Sequence, residues 1–84
     1  MTYYLIVLSS ITYASKIKNY FLGDGDFIAI VHTPSEVSRG SCNYAVRLKE
    51  NKLRAVLDMC NRNLIRVRGV YRIVSPNVYE EVNL

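Results

Sequence analysis

Two cysteines, one histidine and no apolar run of membrane length set the first limits on what this 84-residue chain does. Its apolar stretches all fall short of the ~18 residues that a membrane helix needs. The opening Tyr3-Tyr4-Leu5-Ile6-Val7-Leu8 is one of them, and no positive charges precede it as they would in a signal peptide. It reads as a buried strand, and the cytoplasm is the expected compartment. Cys42 and Cys60 make no CxxC pair, and no histidine cluster accompanies them, so a zinc site is not expected. A disulfide between them would be unusual in a reducing compartment. The expectation is two free thiols in different surroundings, with no metal and no cofactor. Asp24 and Asp26 beside glycines lack the carboxylate spacing and terminal Glu of a calcium loop. They read as a turn.

What is present points to one small α+β domain. At this length a core is near the lower limit at which it holds without staples, with an expected stability of about 4–12 kcal/mol. Half of the residues are hydrophobic and seven are tyrosine, so the chain folds and is not generally disordered. The net charge is +4, but Glu80 and Glu81 are the charged residues beyond position 74, so the first 74 residues carry +6. Such an excess steers acidic partners, although an ordinary solvated surface explains it as well.

Residues 3–8 form the first expected strand, and Ser9-Ser10 offers two candidate helix caps. Residues 11–22 follow the helical period, with Ala14, Ile17 and Phe21 on one face, and Gly23 stops the helix. Residues 27–31 and 44–48 are two further strands. Asn51 is the expected cap of a second helix ending near Arg62, with Leu53, Val56, Leu57 and Cys60 as its apolar stripe. Residues 64–74 form a fourth strand, in which Gly69 marks a bulge where the alternation resets. The β-α-β-β-α-β order predicts a ferredoxin-like sandwich: a four-stranded antiparallel sheet with both helices on one face. The domain is expected to span residues 1–74, with 75–84 as a short tail.

Between His32 and Asn43 the chain makes a connection of about ten residues, against the two to five usual for a hairpin. It contains Ser38, Arg39, Gly40 and Ser41 and delivers Cys42 at its far end. The predicted topology sets this loop beside Ser10 and the start of the first helix. A helix N-terminus and a nearby cation such as Arg39 form the setting that lowers a thiol's pKa, and successive N–H groups over 38–41 suit an anion. The plain alternative is a small inert cysteine at the start of a strand. Cys60 completes a core stripe and reads as structural. His32 lies at the mouth of the loop, where a hydrogen-bonding role is the commoner one. With no orienting carboxylate evident, a hydrolytic triad is a poor reading.

The chain resembles a family of small bacterial proteins described as putative selenium/sulfur carrier protein-like. Thr33-Pro34, Glu36-Val37-Ser38, Cys42, Ala45-Val46 and Arg47 match its central motif, while Asn43 stands where the family has glycine. The resemblance implies that Cys42 holds sulfur or selenium, passed between donor and acceptor proteins, and a carrier or binding protein is expected in preference to an enzyme. Arg39 and Arg47 would then assist electrostatically or recognise an acidic partner. A second expectation, of a different class, is a regulatory or interaction domain. It would dimerise or bind through the open sheet face, with Arg66, Arg68, Tyr44 and first-strand tyrosines on that face. RNA is not the expected partner, because residues 43–48 lack the signature of an RNA-recognition sheet.

Overall fold

Strict alternation along the first strand divides this protein into layers. The structure, a computed structural model, describes residues 2–8, 10–21, 28–34, 37 and 44–82. The elements are β1 (Tyr3–Leu8), α1 (Ile11–Tyr20), β2 (Ala29–His32), β3 (Tyr44–Lys49), α2 (Glu50–Arg62), β4 (Val67–Ser75) and β5 (Val78–Glu81). All neighbouring strands pair antiparallel, in the order β2-β3-β1-β4-β5. The class is α+β, with two helices among the described elements, as the sequence pattern predicts. The sheet has five strands, however, where the ferredoxin-like sandwich has four.

The added strand lies in the segment expected to be a tail. Ser75 and Val78 pair across Pro76-Asn77, and Asn77 has φ 65°. Proline followed by a left-handed asparagine is the pattern of a type II turn. Beyond it Tyr79 pairs with Ile73, Glu80 with Arg72 and Glu81 with Tyr71. Arg72 donates to Glu80 at 2.7 Å, an exposed pair worth at most about 1 kcal/mol. Backbone pairing, more than this ion pair, holds β5 in place.

On one face of the sheet, Ile6 and Leu8 of β1 meet Val46 and Leu48 of β3 and Val70 of β4. Ala14 and Ile17 of α1, with Val56, Met59 and Cys60 of α2, close the same layer. The opposite face carries a smaller cluster of Leu5, Val7 and Ala45, ringed by half-buried Val31, Tyr71, Ile73 and Tyr79. Both expected helical faces are used, with one shift. In α2 the deeply buried stripe is Val56, Met59 and Cys60, while Leu53 and Leu57 are only partly buried. That shift leaves apolar surface on the flank of α2.

Chain ends of the helices are set partly by contacts remote in sequence. Ser10 caps α1, its Oγ accepting from the Tyr13 N–H at 3.5 Å. Asn51 does not cap α2. The helix starts two residues earlier than that cap implies, at Glu50, whose N–H donates to the Thr2 carbonyl at 3.1 Å. A neighbouring strand's backbone replaces the side-chain cap, and Glu50 in the first turn complements the helix dipole. At the other end, the Ile65 N–H reaches the Cys60 carbonyl at 2.9 Å and the Leu64 N–H reaches Asn61 at 3.4 Å. This is a Schellman closure, with Leu64 in the left-handed position at φ 57°. Residues 64–66, expected in the fourth strand, are therefore the helix stop and its exit. The bulge at Gly69 is present: Val7 faces Gly69 while Leu8 faces Val67, which leaves Arg68 as the extra residue.

Leu64 is 89 % exposed, so its side chain contributes little packing to offset its left-handed backbone. Leu64→Gly should raise stability by about 1 kcal/mol in a urea or thermal unfolding measurement, since glycine adopts that conformation without penalty. A neutral or destabilising result would contradict this account of the helix end.

Candidate functional site: the edge where two strands end

Because β1 and β2 both run antiparallel to β3, they run in the same direction and finish at one edge of the sheet. In register, His32 faces Tyr44, Tyr44 faces Leu8 and Leu8 faces Val67. The described anchors of the segment that contains Cys42, His32 to Pro34 on one side and Tyr44 on the other, therefore both sit at this edge. So does the start of α1, two residues past Leu8, and the chain returns here after α2 through 63–66. Ser38, Arg39, Gly40, Ser41 and Cys42 themselves lie outside the described residues.

Of the site residues expected from sequence, Ser10 and His32 both stand at this edge and Arg47 does not. Ser10 is the α1 N-cap, and the first turn of α1 holds no acidic residue. Its partial positive charge is thus not offset from within the helix. The His32 ring lies 4.9 Å from that of Tyr44, tilted by 36°, with His32 exposed and Tyr44 half-buried. Among the described residues no carboxylate orients the imidazole. Arg47 is three residues into β3 from Tyr44, about 10 Å along the strand. Its guanidinium stands 5.4 Å from the centre of the Tyr3 ring.

Sequence reasoning misses three features of this region. The Thr33 Oγ1 is buried with no hydrogen-bond partner among the described residues. A groove of about 630 Å³ runs between α2 and the start of β4, lined by Leu53, Arg54, Leu57, Asp58, Cys60, Asn61, Ile65 and Val67. Arg62, Arg66 and Arg68 collect at the loop edge, all exposed. The expected placing of Tyr44 on the open sheet face needs correction. Tyr44 and Tyr4 share strand parity with Val46, Leu48 and Ile6, and they pack into the helix-side core. Arg66 precedes β4, and Arg68 is the bulged residue. The tyrosines of the open face are Tyr3, Tyr71 and Tyr79.

Cys60 is 1 % exposed at the base of the helix layer, and burial pushes its thiol above the ordinary range. Among the described residues no three His, Cys, Asp or Glu side chains are grouped to hold a metal ion. Nor is any described helix long and apolar enough to cross a membrane. A model of the family described as "Putative Se/S carrier protein-like" matches residues 3–72. No curated protein and no solved structure matches the chain.

The Cys60 environment carries a pH prediction with a definite sign. A thiol whose folded pKa exceeds its unfolded one adds stability below the unfolded value, about pH 8.5, and that addition is lost as pH rises through the folded value. Urea unfolding of the protein should therefore show stability falling above about pH 8.5, and Cys60→Ala should flatten the fall. Parallel declines in parent and variant would remove Cys60 from the explanation.

Proposed function

The chain belongs to the Se/S carrier protein-like family, and we propose that it carries sulfur or selenium on Cys42. The observation that carries this reading is the family match over residues 3–72, within which Cys42 falls. The register of the sheet supports it: both described anchors of the Cys42 segment stand at the edge where α1 presents its N-terminus. In the proposed step the Cys42 thiolate attacks the outer sulfur of a persulfide on a donor protein. A new S–S bond forms at Cys42, the donor's own S–S bond breaks, and the donor thiolate leaves with that electron pair. Transfer to an acceptor thiol repeats the exchange, and a selenium atom follows the same balance. No oxidant or reductant is consumed.

A thiolate and a persulfide anion both gain from positive potential. The α1 N-terminus, Arg39 and the N–H groups of 38–41 are the proposed sources of it. Arg47, farther along β3, is assigned to recognition of an acidic partner. The same thiol would make the protein responsive to redox conditions.

Intact mass of the protein after incubation with a small persulfide donor, with and without reductant, tests this directly. The expected result is a reductant-labile gain of sulfur that maps to Cys42 and disappears in Cys42→Ser. Alkylation across pH should label Cys42 faster than Cys60, with Cys42 titrating below a free thiol. A mass gain confined to Cys60, or none, defeats the carrier reading.

A further inference from the structure

We infer that the groove between α2 and the start of β4 is a docking site for an acidic, amphipathic segment of a partner protein. Three observations converge on that occupant. The first is a half-covered apolar floor. Val70 of β4 is buried in the helix-side core, but Val67 at the start of β4 is only half-buried, as are Leu53 and Leu57 of α2. Leu53 and Leu57 of α2 face Ile65 and Val67 across the gap, with Cys60 at its base. The cavity of about 630 Å³ is of a size that accepts several side chains of a bound segment.

The second is charge. Arg54 stands on the lip of the groove, and Arg62, Arg66 and Arg68 flank the end at which the chain leaves α2 and enters β4. All four are exposed, and none forms an ion pair with a described residue. Asp58, also exposed on the lip, is the acidic side chain that lines the groove. The balance at this end is positive, which favours carboxylates.

The third separates the candidate occupants. A phosphate backbone has no use for a floor of Leu53, Leu57, Ile65 and Val67, and no aromatic side chain lines the groove for a base to stack on. Among the described residues a second copy offers Glu50 and Asp58 on α2, Asp58 being part of this same groove, and Glu80 and Glu81 on β5. There Glu80 is already engaged by Arg72 at 2.7 Å. A segment that sets apolar side chains on the floor and carboxylates against the arginines satisfies both halves of the surface. The groove ends at the sheet edge where the described anchors of the Cys42 segment, His32 to Pro34 and Tyr44, stand, so a partner held here would be the exchange partner of a carrier. That role for the bound partner rests on the carrier reading; the binding itself does not.

The test uses a fluorescein-labelled helical peptide of about five turns with leucines on one face and glutamates on the other, titrated with the full chain at low salt. Replacing Arg62, Arg66 and Arg68 together by Gln should weaken binding by about ten- to a hundredfold. Replacing Lys16, Lys18 and Lys49 by Gln makes the same change in net charge away from the groove and should have little effect. Leu57→Gln should weaken binding about tenfold with an unchanged far-UV CD spectrum, and Cys42→Ser should bind like the parent. Equal losses in the two triple variants, or tighter binding of a polyuridylate strand than of the peptide, would overturn the proposal. So would concentration-dependent self-association that the Arg62, Arg66 and Arg68 changes abolish. Loss of the sulfur gain at Cys42 with peptide binding intact would remove the carrier reading and leave the docking site.

Discussion

The rest of the structure depends on the pairing of β1 with both of its neighbours. It is the central strand, and Leu5, Ile6, Val7 and Leu8 are each at most 4 % exposed because both faces and both edges are covered. Its side-chain period of two assigns Ile6 and Leu8 to the helix layer and Leu5 and Val7 to the opposite one. A slip of one residue would exchange the two sets and face Leu5 with the helices, so the register is strongly specified. That register also fixes the functional edge. With Leu8 opposite Tyr44 and Val67, the ends of β1 and β2, the start of α1 and the exit from α2 all fall at one level.

Among the described residues, both helices lie on the face of the sheet that Ile6, Leu8, Val46, Leu48 and Val70 share, and the hairpin at Pro76-Asn77 adds β5 beside β4. Within α2 the burial pattern is rotated from the expected stripe, with Met59 taken into the core and Leu53 and Leu57 left on the flank. The groove lies along that flank at the start of β4, whereas β5 pairs with residues 71–75 at the other end of the strand.

What is legible in the sequence is what is local. Alternation in β1, the helical stripes of α1 and α2, the Ser10 cap and the Gly69 bulge are local signals, and each is readable within a few residues. The start of α2 was hidden because its cap is the Thr2 carbonyl, nearly fifty residues away in the chain. The end of α2 was hidden because the left-handed position holds leucine, which imitates the first residue of an apolar strand. The fifth strand did have a signal, since Pro-Asn ahead of Val78-Tyr79 is turn chemistry followed by strand formers. Its run of four residues ending in two glutamates made it look like a solvated tail. Of the candidate site, Ser10 and His32 were placed at one edge by topology alone. Arg47 matched the motif by sequence, but strand length carries it away from that edge.

The two thiols bear differently on any sulfur chemistry. Cys60 lies among Val56, Met59 and Ile65 in the helix layer, where burial raises its pKa and no described polar group compensates an anion. The groove reaches it, but only 1 % of its surface is exposed, and a persulfide anion there would pay the full cost of desolvation. The burial of Cys60 opposes thiol chemistry at that position, and Cys42 is the other cysteine of the chain, the one that the proposed carrier step uses.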